Sequence, residues 1–205
     1  MRQACTILCL LIVVTLLQAD DKKPAEVKNP ALRTELLQRV KEDQAARHAM
    51  IQQSQQEKVD QAASQKILEK LLKLDADNTA WLKKHVNQHG FPTISEVGKD
   101  GANGAWLLVQ HADAQPAFQR QCLDLMTKLP RHERDGKNLA YLTDRVLLAE
   151  GKKQLYGTQF IKDAEGWKPK PIEDEANVDQ RRADVGLSTL AEYAKQLSAM
   201  YDKKK

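Results

Sequence analysis

Polar and apolar positions follow a helical period through most of the chain after residue 30. Apolar residues recur every three or four positions, and Ala, Gln, Lys, Glu and Leu dominate the segment from Leu32 to Gln88. This spacing places the apolar side chains on one face of a helix. It predicts helices over 31–58, 60–75, 78–89, 114–129, 137–150, 178–185 and 189–201, and a further helix that contains AWLLVQHA (105–112).

Short polar and glycine-rich segments separate these helices. A break is expected near LDADN (74–78), and GKDGANG (98–104) predicts a loop. Gly90 followed by Pro92 is typical of a helix end. Gly186 separates the last two helices, and Ser188 is expected to cap the second of them.

The period changes between residues 154 and 172. Two extended runs flank Asp163-Ala164-Glu165-Gly166, which predicts a small β-hairpin over about 155–172. Pro169 and Pro171 lack N–H groups on the same strand edge, as expected of an outer strand. The fold class is therefore mainly α, a single multi-helix domain over 31–202 with one small β-hairpin.

The first residues have the layout of a signal peptide. Arg2 precedes the apolar run 4–17, and Gln18-Ala19 follows it, which predicts export to the periplasm or the extracellular space after cleavage at residue 19. Residues 20–30 are charged, contain two prolines and are expected to form a flexible linker. A second interpretation is a membrane anchor formed by an uncleaved 4–17 segment.

Composition excludes several classes of function. Without residues 1–19, Cys122 is the one remaining thiol, so no intramolecular disulfide can form and packing must hold the domain. The formal net charge is only +4 and aromatic residues make up 5% of the chain, so neither phosphate attraction nor base stacking favours nucleic acid. No membrane partner is expected after cleavage.

Polar groups fall on the apolar face of the first helix. At about 100° per residue, Asp43, Gln44 and Arg47 lie within the stripe that Leu36 and Val40 define. One interpretation is an ordinary ion pair between residues four apart. The other is that these groups face the interior and meet partners there.

Two further segments show the same feature. Asp144 and Arg145 lie within a helix that is apolar on most of its circumference, and because adjacent residues diverge, each needs a partner elsewhere. Gln110 and His111 directly follow the apolar run 106–109. Asp113 is expected to cap the helix that begins before Pro116. Three such segments together predict a central polar pocket.

The chain resembles an uncharacterised bacterial domain family in a series of short motifs. In chain order these are Asp43-Gln44-x-x-Arg47, Gly90-Phe91-Pro92, Gln110-His111-Ala112-Asp113, Tyr141-Leu142-x-Asp144-Arg145, Tyr156-Gly157-Thr158-Gln159, and Arg181 with Gly186-Leu187. The resemblance covers about 32–195 and implies that these motif residues form the site. It implies no activity.

One hypothesis for this pocket is acid–base or hydrolytic chemistry on a small or anionic ligand. His111 would be the general base, oriented by Asp43 or Asp144. A ligand would be held by the remaining polar residues, namely Gln44, Arg47, Gln110, Asp113, Arg145, Tyr156, Thr158, Gln159 and Arg181. The alternative is a non-catalytic binding or structural module whose buried polar groups only specify the fold. No cofactor is expected, and no metal, because the cysteine and histidine spacings give no convincing ligand set.

Overall fold

The computed structural model describes residues 27–56, 60–163 and 166–201, and within them it confirms a mainly helical domain with one small hairpin. Its helices are α1 (Pro30–Ser54), α2 (Gln61–His89), α3 (Ile94–Gln110), α4 (Pro116–Lys128), α5 (Gly136–Ala149), α6 (Val178–Asp184) and α7 (Leu190–Tyr201). The antiparallel strands are β1 (Phe160–Asp163) and β2 (Gly166–Pro169).

The third helix is the centre of the molecule. It packs against α1, α2, α4 and α5, and its C-terminal half is buried on all sides, from Gly104 to Gln110. Trp106, Leu107 and Val109 are its main contributions to the core. The polar residues at its end, Gln110 and His111, therefore lie in the interior.

The loop predicted over GKDGANG is wrong, because these residues belong to α3. Gly98 breaks the helical geometry at φ 77°, and the chain then turns helically through Gly101 and Gly104. A Cβ at Gly104 would lie 3.2 Å from the Val40 side chain of α1. These glycines therefore permit close packing of α3 on α1, which a loop prediction from composition does not consider.

The break predicted near LDADN is also wrong, because α2 is continuous from Gln61 to His89. Asp75 bonds to Arg47 of α1, and Asn78 accepts a hydrogen bond from Arg39 Nη1 at 3.1 Å. These polar residues have partners on a neighbouring helix, so they do not mark a turn.

The structure describes only the last few residues of the segments predicted to be a signal peptide and a linker. The signal peptide 1–19, the alternative anchor 4–17 and most of the linker 20–30 lie outside the described residues. Lys28 and Asn29 donate their N–H groups to the carbonyls of Ser95 and Glu96, so the end of the predicted linker is attached to the fold. None of the described helices is both long and apolar enough to cross a membrane.

A second, smaller core joins the hairpin to α7. Phe160, Trp167, Tyr193 and Leu197 form it, and the Tyr141 ring of α5 connects it to the main core. The strands are shorter than predicted, because residues 154–159 form an irregular loop. Residues 164 and 165 of the predicted turn lie outside the described residues.

The prediction that Ser188 caps α7 is wrong. The cap is Thr189, whose hydroxyl accepts from the N–H of Glu192 at 3.3 Å. In return, the Glu192 carboxylate accepts from the N–H of Thr189 at 2.9 Å. This reciprocal pair satisfies N–H groups that the start of a helix leaves without partners.

Candidate functional site

Asp43 and Arg47 lie one turn apart on the inner face of α1. Their side chains are 0% and 2% exposed, and Arg47 Nη2 lies 3.1 Å from Asp43 Oδ1. Gln44 donates to the other oxygen of Asp43 at 3.1 Å. Both interpretations of this helix therefore hold at once: the residues form an ion pair, and they face the interior.

His111 reaches the same carboxylate from the C-terminal end of α3. Its Nδ1 lies 2.9 Å from Asp43 Oδ2. Arg47 Nε is also 3.0 Å from Nδ1, but it can donate to Asp43 Oδ1 at 3.1 Å. We therefore assign the imidazole proton to Nδ1, donating to Asp43, which leaves a lone pair on Nε2.

The Nε2 atom of His111 is buried and has no hydrogen-bond partner among the described residues. Burial lowers the pKa of His111, and the nearby Arg47 and Arg145 charges lower it further, while Asp43 opposes the change. The ring is therefore neutral at neutral pH and presents Nε2 as an acceptor.

Asp75 completes this group from α2, although the sequence analysis did not select it. Its Oδ1 accepts from Arg47 Nη2, and its side chain is 23% exposed. Burial raises the pKa of Asp75 to about 6 despite Arg47, with contributions from the charges of Asp43 and Asp113. We call Asp43, Arg47, Asp75 and His111 the histidine site.

Asp75 could have been found from the helical pattern. In a continuous α2 it lies on the face that also carries Leu71, Asn78 and Leu82, all of which are buried. A carboxylate on that face is the same signal that selected Asp43. The break predicted within LDADN interrupts this pattern, so the prediction of site residues did not include Asp75.

A second set of polar groups borders the histidine site. Arg145 of α5 donates from Nε to Gln110 Oε1 and from Nη1 to Asp113 Oδ1, both at 2.7 Å. Gln119 donates to the same Asp113 oxygen at 3.2 Å. The amide nitrogen of Gln110 is buried and has no partner within the described part of the chain.

The capping role predicted for Asp113 is wrong. The N-cap of α4 is Gln115, whose side chain makes no capping hydrogen bond within the described structure. Asp113 lies two residues too early for that role and pairs with Arg145 across the loop.

Asp144 does not join the histidine site, so the prediction that it meets Asp43 and His111 is wrong. Its buried carboxylate accepts the backbone N–H groups of Leu155, Tyr156 and Thr158 at 2.7, 3.0 and 2.8 Å. Burial raises the pKa of Asp144, and the three N–H bonds oppose this change.

The remaining predicted ligand residues belong to the loop that Asp144 holds. Arg181 donates to the carbonyl of Leu155 at 2.8 Å, and its neighbour Arg182 donates to that of Tyr156 at 2.6 Å. Thr158 is fully buried, and the backbone N–H of Gln159 bonds to the Gln154 side chain at 2.9 Å. In the described structure, Tyr156, Thr158, Gln159 and Arg181 thus bond within this loop region and not to the histidine site.

Two buried residues of this region were missed. Arg182 is 1% exposed, and Gln154 is fully buried with its amide nitrogen bonded to two carbonyls. Their partners are backbone carbonyls of the loop, which a pattern of side chains cannot predict.

The histidine site brings donor atoms of Asp43, Asp75 and His111 within 4.8 Å of one another. Arg47 bonds to both carboxylates, so its guanidinium takes the place that a cation would have between them. The arrangement instead resembles a base that is oriented by a carboxylate, with its second nitrogen available for a proton.

The chain belongs to DUF6624, a family of unknown function whose model matches residues 30–205. No curated protein and no solved structure matches the chain. The family assignment agrees with the resemblance seen in the motifs and adds no activity to it.

Proposed function

Starting from membership of a family without an assigned role, we propose that the Asp43–His111 pair acts as a general base on a small polar ligand. The observation that carries this proposal is the buried Nε2 of His111, which has no partner among the described residues, while Nδ1 is bonded to Asp43. Such a nitrogen is the proton acceptor that acid–base chemistry requires, and the carboxylate fixes the ring and its tautomer.

The proposed reaction is hydrolysis without a covalent intermediate. His111 Nε2 takes a proton from water while the water oxygen bonds to an electrophilic carbon or phosphorus of the ligand. The proton then passes to the leaving group as its bond breaks. The thiol of Cys122 supports this choice, because it is buried and burial raises its pKa to about 12, which makes it a poor nucleophile.

The ion pairs already present argue against a purely anionic ligand. Arg47 bonds to Asp43 and Asp75, and Arg145 bonds to Asp113 and Gln110. An anion would have to displace these acceptors from the two guanidinium groups. We therefore propose a small ligand that is polar and not necessarily negatively charged.

The test is hydrolysis of a panel of chromogenic carboxylic esters, phosphate esters and aminoacyl anilides by the purified protein. We expect hydrolysis of at least one class, and the variant His111→Gln should lower kcat/KM by about 10²–10⁴-fold. His132→Gln is the matched control, since that ring is 80% exposed. Because the folded protein lowers the pKa of His111, the hydrolysis rate should rise with pH as the ring loses its proton. The rate should reach its plateau before pH 6.5, the ordinary pKa of histidine.

A structural function is the second candidate, favoured by the closure of the site. Asp43 is 0% exposed and bonds to Gln44, Arg47 and His111, and only 7% of the His111 side chain is exposed. If no substrate class is hydrolysed and His111→Gln lowers the melting temperature by several degrees, the network serves packing specificity and the catalytic proposal is overturned.

We also propose that the chain is an exported bacterial protein directed by residues 1–19, with anchoring by 4–17 as the alternative. The apolar run is short for a membrane span, and Gln18 and the small residue Ala19 follow it. Expression in a bacterium, fractionation and mass determination of the N-terminus test this. A new N-terminus at residue 20 in the soluble exported fraction supports cleavage, whereas an intact N-terminus in membranes supports the anchor.

A further inference from the structure

The histidine site and its border contain more negative than positive side chains. Asp43, Asp75 and Asp113 share the guanidinium groups of Arg47 and Arg145. Asp113 is close enough for its charge to act on Asp75. When the three carboxylates are ionised and His111 is neutral, these described residues carry three negative and two positive charges, so their net charge is −1.

Two of the three carboxylates lie on the more exposed side of the site. Asp75 and Asp113 are 23% and 53% exposed, whereas Asp43 is fully buried. Within the described residues, all hydrogen bonds to the side chains of Asp75 and Asp113 are made to Oδ1, so each Oδ2 accepts none. His111 lies beside them: one of its ring nitrogens is within 4.8 Å of an Asp75 oxygen, and its buried Nε2 has no partner among the described residues.

We propose that the site binds a ligand with a cationic group, an ammonium or a guanidinium, between Asp75 and Asp113. This inference rests on the proposed function and names the class of ligand on which His111 would act. A cationic group carries only donors, and it would meet two free carboxylate oxygens. Because a ring nitrogen of His111 lies within 4.8 Å of an Asp75 oxygen, a small molecule held at Asp75 would lie beside that ring.

The charge state of Asp75 supports this assignment. Burial and the charges of Asp43 and Asp113 raise its pKa to about 6, which means that ionised Asp75 is not fully stabilised by Arg47. A bound cation would favour the ionised form. Binding should therefore strengthen as pH rises through about 6, while an anion would show the opposite dependence.

The experiment is a titration of the purified protein with methylguanidinium chloride at constant ionic strength, followed by NMR at the backbone amides of Asp75 and Asp113. Sodium acetate and magnesium or manganese chloride form parallel series. We expect saturable shifts with methylguanidinium, and an affinity about tenfold or more lower in Asp75→Asn and Asp113→Asn. The exposed Asp77→Asn, two residues along α2, is the matched control and should bind as the wild type does.

Several outcomes would overturn the proposal: no saturable shift with methylguanidinium, saturation by acetate alone, or saturation by the divalent metals alone. Asp113→Asn keeps the test informative if Asp75→Asn does not fold, because Asp113 is on the surface. The variant His111→Gln separates this inference from the proposed function. It should lose hydrolysis while it weakens methylguanidinium binding far less than Asp75→Asn does, because the cation is held by the two carboxylates. Cation binding without any hydrolysis would leave binding as the activity.

Discussion

A single buried carboxylate, that of Asp144, holds the loop of residues 155–158 against α5. We expect Asp144→Asn to destabilise the protein by about 2–3 kcal/mol, because an amide can replace only part of the charge-assisted bonds to three backbone N–H groups. Urea unfolding measures this. Asp184→Asn, at an exposed position of α6, should change the free energy of unfolding by less than about 0.5 kcal/mol. Equal effects of the two substitutions would contradict the anchoring role.

Asp75 predicts a pH dependence of stability. The folded protein raises its pKa from 3.8 to about 6, so the stability that this group contributes is present below pH 3.8 and is lost as pH rises through about 6. Asp75→Asn removes the ionisation. The melting temperature of the variant minus that of the wild type should therefore be several degrees more positive at pH 8 than at pH 5.

The control for this comparison is Asp77→Asn, whose difference from the wild type should not change with pH. His111 acts in the opposite direction, because its lowered pKa costs stability as pH falls below 6.5. It is present in all three proteins, so its contribution cancels in the difference. A difference that stays constant between pH 5 and pH 8 would show that the folded protein does not raise the pKa of Asp75.

Individual site residues could be predicted where a charge lies on an apolar helix face. Asp43, Arg47 and Asp144 were all found in this way, and all are buried. What the pattern could not supply was the partner of each residue. Asp144 accepts from backbone N–H groups, which a pattern of side chains does not record. The prediction that it meets His111 rested on both being polar residues within apolar helical segments, not on a contact.

At the scale of the elements, Gly157 fixes the path of the loop after α5. It adopts φ 62°, and a Cβ there would lie 2.6 Å from Leu190 and 2.9 Å from Ile172. We expect Gly157→Ala to cost about 2–4 kcal/mol, from the left-handed backbone and the overpacking together. Thermal unfolding monitored by circular dichroism measures this.

Gly151→Ala separates the two causes. Gly151 follows α5 at φ 74°, but no atom of the described residues lies within 4 Å of a Cβ built on it. Its substitution should cost only the conformational part, about 1–2 kcal/mol. If both variants lose the same stability, the contacts with Leu190 and Ile172 do not limit the loop.

The existence of most elements could be predicted, but the continuity of two helices could not. The helical period identified α1, α4, α5 and the last two helices, and the change of period identified the hairpin. In α2 and α3, however, Asp75, Asn78, Gly101 and Gly104 were interpreted as loop residues. Each of them faces another helix, either as a hydrogen-bond partner or as a small residue at a close approach. Such roles depend on the neighbouring helix, so local composition cannot reveal them.

For the whole molecule, the two cores predict unequal local stability. Four helices pack against α3, whereas α7 packs mainly on β2 and α6. We expect amide hydrogens of α7 to exchange at least about tenfold faster than those of residues 102–109 in α3. Hydrogen exchange followed by mass spectrometry or NMR tests this. Uniform protection of both segments would mean that the two cores unfold as one unit.

The bond between α5 and the loop that follows it also has a consequence for synthesis on the ribosome. The Asp144 carboxylate emerges before the three amides that it binds. The helices up to α5 can therefore assemble first. The Asp144 carboxylate on α5 then accepts hydrogen bonds from the loop residues that are still being added. The loop after α5 has no acceptor for its three N–H groups until α5 has formed. A nascent chain therefore acquires the hairpin and α7 last.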